Sequence, residues 1–173
     1  MARPTLLRAA IACLLALSPA GVVAQPAPDM AILEAAGAGF PERIGEFTRR
    51  AIASVEPGRI NASYRNDGDA LVDIFISRAG MPLDEEFAST EGMIGRVFSD
   101  LRAVRDLPPP PEAPTARGRL WTGMSGSGRV LTAMMLDQRG GWRIKIRGTV
   151  SQAAGEAGAK AIEQLMRDYG WWR

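Results

Sequence analysis

Five prolines fall within the eight residues 107–114, and no other segment restricts so sharply what this chain can become. Proline fixes φ and lacks the amide hydrogen that a helix interior or an inner strand needs, so both are excluded there. The stretch predicts an extended connector of roughly 25 Å, at about 3.1 Å per residue, enough to cross one end of a domain. The chain is thereby cut into two halves that must be joined by packing rather than by a continuous element.

Each half carries the same kinds of element. In the first, residues 49–55 and 59–65 alternate with a period of two around Glu56-Pro57-Gly58, a turn with proline ahead of glycine. Asn66-Asp67-Gly68-Asp69 predicts a type I′ hairpin, because Asp-Gly tolerates positive φ. Residues 70–78 follow as a central strand with Val72, Ile74 and Ile76 on its core face. Leu83, Phe87, Ile94, Val97, Phe98, Leu101 and Val104 recur at three- and four-residue steps and predict one helix over residues 84–106. Asp84-Glu85-Glu86 lies where the helix dipole favours negative charge, so Asp84 is expected as the N-cap and the cluster as a helix start rather than a metal or acid–base site.

In the second half, residues 118–122, 129–137 and 142–150 read as strands, with turns at residues 123–128 and at Arg139-Gly140-Gly141. Ser151 is expected to cap a final helix that Gly170 ends, and Asp29 a short helix over residues 30–36 that Gly37 stops. Hairpins, helix, connector, hairpins and helix predict an α+β fold: one domain over residues 40–173, with a curved, mainly antiparallel sheet and two packed helices.

The first 24 residues address the chain. Arg3 and Arg8 precede an apolar run over residues 9–17, and Val22-Val23-Ala24 presents small residues to a leader peptidase. That run is far short of the roughly 18–20 residues a membrane span requires. Export to a periplasm or the medium is expected, with cleavage after Ala24 and residues 25–39 as a linker and short N-terminal helix. Removing 24 of the 173 residues leaves 149, enough for one core. The leader takes two of the 21 basic residues and none of the 19 acids, so the exported chain is charge-balanced and no nucleic-acid partner is expected. Cys13, the only cysteine, lies in the leader without the small-residue box that acylation needs. No disulfide partner remains, and packing alone must hold the fold.

Histidine is absent, which excludes Ser-His-Asp and Cys-His sites, imidazole acid–base chemistry and nearly all zinc and copper centres. Neither Ser125 nor Ser127 has glycine two residues away on both sides, as a nucleophile elbow demands. Residues 66–69 resemble the start of a calcium loop but lack its later ligands, and no phosphate-binding glycine loop is present. Neither a metal nor another cofactor is expected.

One patch invites a ligand. Alternation places Arg143, Lys145 and Arg147 on one face of a strand, with Trp142, Ile144 and Ile146 on the other. A two-residue turn at Gly140-Gly141 would add Met134 and Leu136 to the basic face. A helix then covers the apolar part while the cationic stems snorkel around it, or the face takes an anionic amphiphile or acidic partner, with Arg117 and Arg119 adding to the site. Seven basic residues and one acid, Asp137, fall between residues 117 and 147. The expected function is a non-catalytic binding or scaffold module for an anionic lipid, a cell-wall component or an acidic protein surface. The alternative is a hydrolase or lyase running on carboxylates alone, with Asp73 as base and a second acid about 5–10 Å away. An arginine beside Asp73, Arg65 or Arg147, would instead make it half of an ion pair. Trp171-Trp172 either packs back on the domain or makes peripheral contact with a membrane interface.

Phe40-Pro41-Glu42-Arg43-Ile44-Gly45-Glu46-Phe47 and Gly141-Trp142-Arg143-Ile144-Lys145-Ile146-Arg147-Gly148-Thr149 resemble a pattern of small exported bacterial proteins. In these a P-E-x-I-G-x-F opening precedes hairpins, and a G-x-x-x-K-x-R strand precedes a final helix. The resemblance covers about residues 40–169. It implies the layout above and a sandwich similar to PsbP/Mog1-like domains, and it carries over no catalytic residues.

Overall fold

The computed structural model describes residues 29–172; the expected leader and its expected cleavage site lie outside the described residues. Eight strands form one antiparallel sheet: β1 (Arg43–Ile44), β2 (Phe47–Glu56), β3 (Arg59–Arg65), β4 (Leu71–Arg78), β5 (Ser99–Leu107), β6 (Arg117–Ser125), β7 (Gly128–Arg139) and β8 (Trp142–Ser151). Their order is β1-β2-β3-β4-β8-β7-β6-β5, and the sheet curls into a half-barrel. The helices are α1 (Ala31–Ala36), α2 (Leu83–Val97) and α3 (Gly155–Asp168). The fold is α+β with a curved antiparallel sheet, and two of its helices are substantial. Each half of the chain is a four-stranded meander, and the two are zipped together where β4 meets β8, with Ile74 opposite Ile146 and Ile76 opposite Ile144.

Side-chain alternation sends those four isoleucines, with Ile60, Ala62 and Tyr64, to one face, and all are fully buried. Helix α3 lies on this face through Ala159, Ile162, Leu165 and Met166. The approach is close because Gly148 has no side chain: a Cβ there would stand 2.3 Å from Ile162 Cγ2. Ile32, Leu33 and Ala36 of α1 join the same core. Among the described residues, no helix is long and apolar enough to cross a membrane.

Several local expectations are met. Gly140 and Gly141 have φ of 57° and 78° and make the two-residue turn between β7 and β8. Gly37 stops α1 with φ 61°, and the Asp29 carboxylate accepts a hydrogen bond from the Ala31 N–H at 3.2 Å. The tail packs back on the domain: Trp171 is fully buried with its indole N–H on Met166 O, and the Trp172 indole donates to Asp137.

Others are corrected. The helix expected over residues 84–106 stops at Val97, and residues from Ser99 to Leu107 form β5. The apolar spacing fits both forms, but the backbone of β5 completes the free edge of β6, which a helix could not do. Asp100 takes φ 50°, and bulges interrupt the ladder between Ser99 and Arg102 and between Ala103 and Arg105. These leave Val104, assigned to the buried stripe, 51% exposed. Asp84 is not the cap of α2, which starts from Pro82 without a side-chain cap; its carboxylate meets Arg117 at 3.2 Å instead. Ser151 likewise makes no capping hydrogen bond, and a 3₁₀ turn (Gln152–Ala154) intervenes before α3. The 66–69 turn is not type I′: Asp69 and not Gly68 has positive φ, and the Asn66 side chain closes the loop by accepting from the Ala70 N–H at 2.9 Å. The proline connector is not fully extended, because Ala113 N–H and Ala116 N–H close turns on Pro110 O and Ala113 O.

Candidate functional site

The other face of the sheet carries the predicted cations. Register places Asp73, Arg147, Met134 and Arg119 in one row, Phe75, Lys145, Leu136 and Arg117 in the next, and Ser77, Arg143 and Gln138 in a third. Helix α2 covers the apolar part: Ile94 closes over Trp121 and Met134, with Phe87, Phe98 and Leu101 at the margin. Met134 and Leu136 are fully buried, so the strand that carries the cations is flanked by a helix-covered core rather than by an open apolar surface.

Each of the five basic residues meets a carboxylate. Arg143 pairs with Glu86 of α2, and Lys145 Nζ stands 3.6 Å from the same carboxylate. Arg147 meets Asp73 at 3.5 Å, and Arg117 meets Asp84. Arg119 bonds Asp106 at 2.7 Å and Glu91 at 3.2 Å; the Asp106 hydrogen bond above all, then that to Glu91, pushes its pKa further up. Asp73 also accepts from Ser63 Oγ at 2.6 Å. Its surroundings are those of a held ion pair, with Arg147 as the arginine partner. Strand β7 lies between β8 and β6, so Arg117 and Arg119 stand about 10 Å, two strand spacings, from the β8 cations. The five residues therefore do not converge on one point.

Two of them do converge with residues that the sequence reading did not single out. Between the β2–β3 turn and strands β4 and β8 lies a cavity of about 250 Å³, lined by Arg59, Arg78, Arg143 and Lys145 together with Phe75 and Ser77. Arg59 and Lys145 both approach the Phe75 ring, at 5.0 and 5.6 Å from its centre, and Arg78 stacks at 3.9 Å on Trp142. The Arg143 fork is engaged at both tips, one on Glu86 and the other on the Arg78 carbonyl at 3.2 Å. Its Nε is buried and has no hydrogen-bond partner. Asn61 Oδ1, one row away on β3, is buried without one too. Burial pushes the Lys145 pKa below that of an ordinary lysine; Glu86 opposes this, while Arg59 and Arg143 add to it. Arg78 is paired with Trp142 in the β4–β8 ladder, so its guanidinium lies on the core-side face, and three cations, Arg59, Arg143 and Lys145, face two carboxylates, Glu56 and Glu86, leaving a local charge of +1.

Glu86 is the residue whose role sequence reasoning missed. Read as a helix-start acid, it is buried beneath α2. A signal was available: Glu86, Thr90 and Ile94 recur at four-residue steps, so this acid shares a helix face with a core isoleucine. Arg59 opens β3 directly after the β2–β3 turn and gave no comparable signal.

A larger groove of about 880 Å³ runs beside α3. It is lined in part by Ile44, Phe47 and Leu165, and of its charged lining Arg105 is engaged with Glu163 and Glu46 with Asn66. Ser125 and Ser127 bond each other in the β6–β7 turn. Among the described residues, no group of three Asp, Glu, Cys or His side chains is placed to hold a metal ion. The chain matches no model of a known protein family and no curated protein.

Proposed function

We propose that this protein is an exported, non-catalytic binding module that receives an anionic group of its partner in the cavity of Arg59, Arg143 and Lys145. The observation that carries this reading is the buried Arg143 Nε–H, which has no acceptor and lies among a surplus of positive charge. A buried donor without an acceptor costs about 1–3 kcal/mol, and folded proteins pair nearly all such groups. An incoming anion supplies both the acceptor and the countercharge. At about 250 Å³ the cavity is smaller than a typical small-molecule site of roughly 300–1,000 Å³, so it suits a head group or a side-chain terminus rather than a whole large ligand. An anionic lipid, a cell-wall carboxylate and an acidic protein patch all present such a group.

Titration of the isotope-labelled mature protein with inorganic phosphate at low salt tests the site. Amide resonances of residues 56–59, 75–80 and 143–145 should move together, and added salt should weaken the response, since charges are screened over about 8 Å at physiological ionic strength. Shifts that are absent, or centred on Arg117 and Arg119, overturn the assignment. Export is tested by N-terminal sequencing of the periplasmic form, which should begin at Gln25; a chain that keeps Met1 in the membrane overturns it.

A further inference from the structure

We infer that the free edge of β2 is a docking surface for a second copy of this chain, paired two-fold and antiparallel so that two eight-stranded sheets become one continuous sheet. Strand β1 covers only the start of β2: it pairs with Phe47 and Thr48, and Glu42 O then accepts from the Arg49 N–H at 2.9 Å. Past that point, among the described residues, no strand lies on the outer side of residues 50–56. Such an edge offers its N–H and C=O groups to another chain unless charge, proline or irregular backbone guards it. The opposite edge of the sheet is guarded in this way. Strand β5 carries Asp100, Arg102, Arg105 and Asp106, two bulges interrupt its ladder, and Asp100 has positive φ. In β2 the bulges fall at Arg50 and Val55, and residues 51–54 between them run in regular register without a charge. Val55 is 51% exposed, and Met30, 47% exposed, follows Asp29, whose N–H bonds Ser54 Oγ at this edge.

Two features name the occupant, because both select the same self-pairing. Opposite residues of an antiparallel pair share a face of the sheet, so a two-fold pair of identical strands is centred on one residue. Length centres it on Ala53. That register uses all of residues 50–56 of each copy, and the Pro57-Gly58 turn of the second copy leaves the edge where Glu42 takes it over. Charge gives the same centre. Arg50 then lies opposite Glu56 of the second copy, and Glu56 opposite its Arg50, with uncharged residues between them. A shift of two residues in either direction loses both pairs. Glu56 also lines the anion cavity and pairs with Arg59, but the edge pairing does not depend on what the cavity binds.

The paired edges are short, so association is expected to be reversible and concentration-dependent rather than permanent. Sedimentation velocity of the chain from Gln25, at physiological salt, should move from monomer to dimer as concentration rises. Arg50→Glu and Glu56→Arg, each studied alone, set like charges opposite one another at both ends and should weaken dimerisation by about tenfold or more. Mixed together, the two variants restore both pairs with opposite charges and should associate within severalfold of the wild type. Both positions are exposed, and unchanged unfolding midpoints check that the variants stay folded. Ala53→Cys reads the register independently, since the chain from Gln25 has no cysteine of its own. Facing Cα atoms of an antiparallel pair stand about 4.5–5.5 Å apart, within disulfide range, so mild oxidation should link two copies through residue 53. Val104→Cys, on the guarded edge, should stay unlinked. A wild-type chain that remains monomeric at its highest soluble concentration overturns the inference. So do single charge variants that dimerise like the wild type, a mixture that stays apart, or Val104→Cys linking as readily as Ala53→Cys.

Discussion

Replacing Glu86 by glutamine tests the electrostatic keystone of the cationic face. The carboxylate is 9% exposed and lies between Arg143 and Lys145, whose side chains are each 11% exposed. Removing one partner of a buried ion pair costs about 3–5 kcal/mol, because the remaining charge stays buried without compensation. Two features here hold the cost near the lower figure. Lys145 can release its proton, being already shifted in that direction by burial, and the Thr90 hydroxyl, 3.4 Å from Glu86 Oε1, can still bond the amide. Arg143 has no such escape, since a guanidinium does not deprotonate in a protein. A loss of about 3 kcal/mol is therefore expected, a large part of the roughly 5–15 kcal/mol that holds a domain together. Urea unfolding at pH 7 measures it as a lower midpoint at an unchanged slope. Asp84→Asn is the control: it breaks the pair with Arg117 in which the two side chains are 77% and 60% exposed, and should cost no more than about 1 kcal/mol. Phosphate should then restore stability to Glu86→Gln, by about 2.7 kcal/mol at a hundredfold excess over its dissociation constant. If the two variants unfold alike, Glu86 is not the buried counter-ion described here.

Two further outcomes follow from the core. Gly148→Ala drives a methyl into Ile162 and should cost about 1–3 kcal/mol, whereas Ile162→Ala alone should cost about 2–5 kcal/mol; the double variant should lose less than the sum, and simple additivity in urea unfolding would mean that α3 is not seated over β8. Tyr64 is buried with its hydroxyl donating to Pro41 O at 2.8 Å, and burial, opposed by Arg49, pushes its pKa up to about 12 from 10.0. Because the folded value is the higher, its contribution is complete below pH 10 and is lost as pH rises towards 12, by roughly 3 kcal/mol; Tyr64→Phe should lack this decline, and parallel pH curves would refute the assignment.

Short-range chemistry is legible in this chain. The alternation through Val72, Ile74 and Ile76, the glycine pair that reverses β7 into β8, and the resulting partnership of Met134 with Arg147 and of Leu136 with Lys145 all follow from period and turn type. Each depends on residues within a few positions of one another along the chain. Residues 98–107 show where that reasoning stops. Their apolar spacing suits a helix or an edge strand, and the choice between them rests with β6, which offers an unpaired backbone edge to whatever lies beside it.

The candidate site divides in the same way. The sequence by itself determined that Arg143, Lys145 and Arg147 share a face, that chemistry dependent on histidine is closed to this protein, and that one curved antiparallel sheet with packed helices is the architecture. Tertiary structure alone decided that α2 lies over that face and delivers Glu86 to two of the three cations. It also brings Arg59 to their side and leaves Arg117 and Arg119 apart. Alternation fixes the direction of a side chain relative to its own strand. Which charges meet across the sheet depends on strand order and on how a helix is seated, and those are settled by packing between segments far apart in the chain.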